Sequence, residues 1–367
     1  MEEKNYVGRP FGPQDCEKMP ALLKKVWKFE SNADYWRWKY LKTPFKTEAM
    51  VVENENNEII AFNGFWRRPV KFNNQILYPY LSVDTMVAPE YQRTGVSKFI
   101  ISDFARLLNE ASLFGFTNEK SHKFFKMNLS SYIKVDAASP GYQAVFNIGT
   151  IVNAPKPISS TLNVISRGLH NTRFFFQNST DIEVVKDEKI DEEFNALWEE
   201  ISGEFLWIQK RDMDYLQWRY LQAPGSRYHI WKARENGKLV GYMVSNTTIT
   251  PESKRAVIVD WFASLQRPEI FTALLGAACR WNLKQGVDIL EAWLLKYPAK
   301  WEKILRSHLF LIKRNPRTFL LTDYPQVDSE IGLYETLEPD HMMVALGDSD
   351  YLGWATLSDF QNMDRRH

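Results

Sequence analysis

The chain repeats itself. Asp34-Tyr35-Trp36-Arg37-Trp38-Lys39-Tyr40-Leu41-Lys42-Thr43-Pro44 returns as Asp214-Tyr215-Leu216-Gln217-Trp218-Arg219-Tyr220-Leu221-Gln222-Ala223-Pro224, an offset of 180 residues. The same offset carries Glu55-Asn56-Asn57-Glu58-Ile59-Ile60-Ala61-Phe62 onto Glu235-Asn236-Gly237-Lys238-Leu239-Val240-Gly241-Tyr242 without a gap. Self-similarity at a fixed spacing marks one structural unit used twice. In each copy a helical pattern runs into a proline that cannot continue it. An Asn-Asn or Asn-Gly pair then sits between β-rich runs, a hairpin signal because these residues accept positive φ. Two copies of one α+β unit are expected.

Ala154-Pro155-Lys156-Pro157 separates the copies. Prolines hold the chain extended and block helix, so residues 1–155 form the first unit. Residues 156–180 read as a mixed connector with a short helix around Leu162–Leu169. The second unit, 181–324, opens on a strand at Asp181–Val185 and a helix near Ile190–Ile201. Residues 325–367 form an acidic, aromatic tail expected to pack across the two units.

Composition excludes several functions. A chain of 367 residues with 44% hydrophobic content can bury two cores. A net charge of +1 provides no field to gather nucleic acid or an anionic membrane. Cys16 and Cys279 alone supply neither a disulfide framework nor a metal site. The polar start Met1-Glu2-Glu3-Lys4-Asn5 lacks a signal-peptide core, and no apolar run is long enough to span a bilayer. The reading is a cytoplasmic protein without metal, nucleic-acid or membrane partners. Its thirteen Trp residues fit either two aromatic cores or a wide apolar cleft.

The chemistry-bearing stretch lies in the first unit. Tyr80-Leu81-Ser82-Val83-Asp84-Thr85-Met86-Val87 reads as a strand, and Gln92-Arg93-Thr94-Gly95-Val96-Ser97-Lys98 leads into a helix. That helix keeps Val96, Phe99, Ile100, Phe104, Leu107 and Leu108 on a 3.6-residue period. A strand, a glycine turn and a helix N-terminus converge backbone N–H groups and the positive end of the helix dipole on one point. That point is an anion site. Gly95 lets the anion reach the backbone, and Arg93 or Lys98 adds charge. A lone glycine turn also serves as a plain connector before an amphipathic helix.

Val87-Ala88-Pro89-Glu90-Tyr91-Gln92-Arg93-Thr94-Gly95-Val96 resembles the pyrophosphate-binding motif of the GNAT superfamily of N-acyltransferases, Gln/Arg-x-x-Gly-x-Gly/Ala. Gln92 and Gly95 match it, and Ser97 stands where the family has Gly or Ala. Leu113-Phe114-Gly115-Phe116-Thr117-Asn118 is similar to the family's next strand and to the Asn that begins its second cofactor motif. The motifs cover about residues 80–130. The resemblance implies an α+β fold of two tandem GNAT-like lobes, each a twisted mixed sheet flanked by helices. It also implies acetyl-CoA or another acyl-CoA as co-substrate, held by Thr85, Met86, Val87, Gln92, Arg93, Thr94, Gly95, Val96, Ser97, Lys98 and Asn118. The acceptor would be a small-molecule amine such as an amino sugar or amino-acid derivative. In the second unit the strand Ala256–Phe262 runs into Ala263-Ser264-Leu265-Gln266-Arg267-Pro268-Glu269, with no glycine. That unit is expected to shape the acceptor site and cover the first unit's sheet edge, not to bind coenzyme A.

Transfer from a thioester needs a donor for the oxyanion and a base for the amine. The family's donor is a backbone N–H at a strand bulge, which maps near Thr85–Val87. Asp84 is the nearest carboxylate for a base. Strand alternation places it on one face with Tyr78, Tyr80 and Ser82, and a structural, hydrogen-bonded carboxylate is the equal alternative. The family's acid is a Tyr on the next helix, where this chain has Phe124 and Phe125. That leaves Tyr132, His122 or water to protonate the thiolate, or a protein that binds acyl-CoA without catalysis. Asp84, Tyr80 and His122 are the catalytic candidates. Gly347-Asp348-Ser349-Asp350-Tyr351 reads either as an acidic clamp for an amine or as a turn. Two further classes stay open: an aminoacyl-tRNA-dependent cell-wall peptide transferase on the same tandem fold, and a non-catalytic acyl-CoA-binding scaffold.

Overall fold

A computed structural model describes residues 6–152, 154–175, 181–225, 228–249, 253–293, 299–322 and 342–349. The first copy supplies strands β1 (Val7–Pro10), β2 (Lys46–Glu53), β3 (Ile59–Arg67), β4 (Val70–Phe72), β5 (Gln75–Leu77), β6 (Tyr80–Val87), β7 (Leu113–Thr117) and β8 (Ile133–Val145). The second supplies β9 (Glu183–Lys186), β10 (Trp207–Gln209), β11 (Tyr228–Glu235), β12 (Lys238–Ile249), β13 (Lys254–Ala263), β14 (Ile289–Trp293) and β15 (Leu311–Thr322), with β16 (Met342–Met343) after it. Helices α1 (Met19–Trp27), α2 (Ala33–Leu41), α3 (Ser97–Leu108), α4 (Glu119–Leu129) and α5 (Ile148–Ile151) belong to the first copy. Helix α6 (Lys156–Phe175) joins the copies, and α7 (Glu193–Ile201), α8 (Met213–Leu216), α9 (Pro268–Lys284) and α10 (Ala299–Ser307) belong to the second.

The two copies share one twelve-stranded sheet, ordered β1-β2-β3-β6-β7-β15-β8-β14-β13-β12-β11-β9. Its order is a palindrome in which each copy lends its last strand to the other. Strand β15 pairs antiparallel with β7 of the first copy, and β8 pairs antiparallel with β14 of the second. Strands β8 and β15 also pair with each other. The first copy's sheet edge is thus covered by a strand exchange, which local sequence patterns do not encode. A second, four-stranded sheet, β16-β10-β4-β5, likewise draws on both copies.

The repeated peptide sits where the copies meet. Asn32 caps α2 by accepting from the Tyr35 N–H at 3.0 Å, and Asp212 does the same for Tyr215 at 3.0 Å. The Trp38 and Trp218 rings stack with centroids 4.7 Å apart. Trp38 Nε1 donates to the Trp218 carbonyl at 3.0 Å, and Trp218 Nε1 donates to the Trp38 carbonyl at 3.2 Å. A residue bonding reciprocally with its own repeat partner is the signature of an approximate twofold contact. Both indoles are buried, so Trp38→Ala is expected to cost about 3–5 kcal/mol, read from urea denaturation of the purified variant.

The hairpin signals sit as the sequence indicates: Asn57 has φ 57°, Asn236 φ 50° and Gly237 φ 82°. The connector differs. In place of a short helix around Leu162–Leu169, α6 runs for 20 residues from Lys156 to Phe175. Pro157 does not prevent it because it occupies the first turn, where its missing N–H would have had no partner.

Candidate functional site

The site grows from a parting of two strands. Strands β6 and β7 pair in parallel only at Tyr80–Leu113 and Leu81–Phe114. Beyond that point β6 stays with β3 while β7 turns to β15, so their C-terminal ends diverge. On its other side β6 slips out of register with β3 between Phe62 and Gly64, leaving Asp84 and Thr85 opposite Asn63 alone. Asp84 takes φ 52° there, the mark of a bulge. Thr85 is exposed, and its hydroxyl donates to Asn63 Oδ1 at 2.8 Å. Asn63 in turn donates to Asp103 Oδ2 on α3 at 3.2 Å. A polar chain therefore ties the bulge to the helix behind it.

The bulge redirects Asp84. Alternation would put it with Tyr80 and Ser82, but Asp84 turns to α2. It accepts from the Tyr40 hydroxyl at 2.7 Å and pairs with Lys39 Nζ at 2.5 Å, all three groups buried. Tyr80 faces the opposite core, packed against α3 with Phe65 and Phe104. Its hydroxyl lies 2.8 Å from Glu48 and 2.9 Å from Glu110. Burial and then those carboxylates push the phenol far above its ordinary value, so it is neutral. Tyr78 lies outside β6 and is exposed. The shared face expected for Asp84 and the tyrosines does not form.

The turn after β6 is open. Gln92, Arg93, Thr94, Gly95, Ser97 and Lys98 are exposed, while Val96 is fully buried and anchors the turn. Arg93 (φ 64°) and Gly95 (φ 92°) are both left-handed. Among the described residues, a Cβ added at Gly95 would meet nothing within 4 Å, and no side chain caps the start of α3. Gln92 Nε2 donates back to the Val87 carbonyl at 3.3 Å, and the Thr94 hydroxyl donates to the Tyr91 carbonyl at 2.8 Å. These bonds brace the turn from its own strand end. Met86 is buried and Val87 half-buried on that strand.

The second copy shows the same place filled. After β13, a Glu204 carboxylate accepts from Ser264 Oγ at 2.7 and 2.9 Å, from the Leu265 N–H at 2.6 Å and from the Gln266 N–H at 3.3 Å. An internal carboxylate thus occupies the amides that an external anion would need. Sequence reasoning missed Glu204, since it lies 60 residues before Ser264 and carries no motif. Removing it deletes those bonds, so Glu204→Ala is expected to cost about 1–3 kcal/mol, measured by chemical denaturation.

The remaining candidates are spread. Asn118 is exposed and caps α4: its Oδ1 accepts from the Ser121 N–H at 2.9 Å. His122 lies one turn in, with Nδ1 3.5 Å from Thr117 Oγ1 and Nε2 3.7 Å from Asp136. Phe125 is buried edge-on against Phe104 and serves the core. Asp348 is no amine clamp. It lies in a short 3-10 turn, accepts from the Ala345 N–H at 2.7 Å and pairs with the buried Arg211 at 2.5 Å. Asp350 and Tyr351 lie outside the described residues.

The architecture as a whole recurs in solved structures. The tandem GNAT protein from the clavulanic acid biosynthesis pathway superposes with TM-score 0.56 at 11% identity, covering 88% of this chain and 100% of that one. The fold is a duplicated GNAT fold. N-myristoyltransferase from Saccharomyces cerevisiae with bound myristoyl-CoA matches with TM-score 0.59 at 9% identity over 89% of this chain and 85% of that one. A GCN5-related N-acetyltransferase from Anabaena variabilis matches with TM-score 0.58 at 10% identity over 86% and 72%. At such identities the likeness to these GNAT structures concerns the fold. No protein-family model and no curated protein matches the sequence.

Proposed function

We propose that this chain is a cytoplasmic acyl-CoA-dependent N-acyltransferase, acetyl-CoA the favoured donor, with its co-substrate on the first copy alone and a small amine as acceptor. The contrast between the two turns carries this reading: among the described residues neither helix start has a side-chain cap, but the turn at Gly95 is open, whereas Glu204 fills the turn at Ser264–Gln266. In the proposal the backbone around Gly95, Val96 and Ser97 receives the diphosphate, with Arg93 and Lys98 adding charge. A main-chain N–H at the Asp84–Thr85 bulge donates to the thioester oxygen as it becomes an oxyanion. The Thr85–Asn63–Asp103 chain holds that bulge in place. The myristoyl-CoA bound to one solved neighbour supports a thioester of coenzyme A without fixing the acyl length.

We assign Asp84 a positioning role, because Lys39 and Tyr40 already occupy its carboxylate. Tyr80 is assigned to the core for the same reason. The buried Phe125 leaves the departing thiolate to water or to His122 at the start of α4. Release of free thiol from acetyl-CoA over a panel of amino sugars and amino acids tests the reading. Turnover with at least one amine is expected. Tight binding of acetyl-CoA without thiol release would instead make this a binding protein.

A further inference from the structure

Helix α6 is amphipathic the wrong way round. The face it turns to the protein is polar. The Asn163 carboxamide accepts from the Gly149 N–H at 2.7 Å, Ser166 Oγ donates to the Val145 carbonyl at 2.8 Å, and His170 Nε2 lies 3.2 Å from that same carbonyl. Arg167 donates to the Leu283 carbonyl at 2.6 Å. Ser166 and His170 are buried. The apolar residues point outward: Ile158 is 55% exposed, Val164 71%, Ile165 55% and Leu169 60%. Ile158, half-buried Leu162, Ile165 and Leu169 follow one another at steps of four, three and four, so they share one stripe along the helix. Val152, just before it, is exposed as well. An apolar stripe of this length left in water marks a contact surface.

The charge pattern selects what covers it. Between Phe146 and Thr180 the sequence holds Lys156, Arg167 and Arg173 and neither Asp nor Glu, in a chain with 45 acidic residues. Its remaining polar residues there are Ser, Thr, Asn, Gln and His. Among the described residues no helix is long and apolar enough to cross a membrane. A helix with an apolar stripe, uncharged small polar residues and only basic charge has the chemistry of an interfacial helix. Arg167 is held inward on the Leu283 carbonyl, so Lys156 is an exposed cation at the head of the stripe, and no carboxylate of the segment opposes an anionic headgroup.

We propose that α6 lays its apolar stripe into an anionic lipid surface and so docks the protein on a membrane without crossing it. The whole-chain charge of +1 concealed this, because the basic bias is confined to one segment. The test uses the full chain and vesicles of equal parts phosphatidylglycerol and phosphatidylcholine. Wild type is expected to float with these vesicles and to bind pure phosphatidylcholine more weakly. The triple variant Ile158→Ser/Ile165→Ser/Leu169→Ser removes only outward side chains, so it is expected to keep the wild-type thermal melt. Its vesicle affinity is expected to fall at least about 30-fold. Sedimentation without lipid should show a monomer for both proteins. Absence of flotation, or flotation that the triple variant keeps, overturns the proposal. So does a lipid-free dimer that the triple variant splits, since the stripe would then bind a second copy.

Discussion

Gly95→Glu is expected to abolish acyl-CoA binding while leaving the protein folded. Position 95 is exposed, and among the described residues a new Cβ there meets no atom within 4 Å. The folding cost is therefore the left-handed backbone (φ 92°) alone, about 1–2 kcal/mol for a residue with a side chain. Binding suffers far more. The substitution places a carboxylate at the open start of α3, where the proposed diphosphate sits. It does in the first copy what Glu204 does in the second. Losing charge-assisted bonds worth about 3 kcal/mol corresponds to an affinity loss on the order of 100-fold. Calorimetry with acetyl-CoA reads this directly. Gly95→Ala provides the control: it carries the same backbone cost without the charge and should bind within about tenfold of wild type.

The second large effect is on stability. Asp84→Asn removes the counter-charge of Lys39, whose ammonium is 1% exposed and 2.5 Å away. A buried charge left without its partner costs about 3–5 kcal/mol, a large fraction of a domain's stability. Urea denaturation should show that loss, and the pH–rate profile per folded molecule should stay that of wild type. The double variant Lys39→Met/Asp84→Leu replaces the pair with apolar groups of similar volume and should recover most of the lost stability. An Asp84→Asn protein as stable as wild type, with a displaced pH–rate profile, would instead make Asp84 the base that deprotonates the amine.

The sequence made the local devices visible and hid the long-range ones. The duplication was legible because Trp38 and Trp218 stack on each other, and such a contact constrains both copies of the peptide. The Asn57 and Asn236-Gly237 hairpins were legible because positive φ restricts which residues fit. The open turn at Gly95 was legible for the same reason. The exchange of β8 and β15 was not, since either strand could pair within its own copy with the same alternating pattern. Asp84 was misplaced because a bulge reverses alternation, and nothing in Val83-Asp84-Thr85 signals an inserted residue. Glu204 escaped because its partners are remote in sequence. Helix α6 was underestimated because Pro155 and Pro157 read as blockers, although a proline in a first turn opens a helix as readily as it ends one.

A crystal structure with acetyl-CoA bound tests the central claim most directly. One molecule per chain is expected, its diphosphate against the main chain of Gly95, Val96 and Ser97 and its thioester oxygen facing the Asp84–Thr85 bulge, with Glu204 still seated on Leu265 and Gln266. A diphosphate bound at Ser264–Gln266, or elsewhere with the Gly95 turn empty, would contradict it.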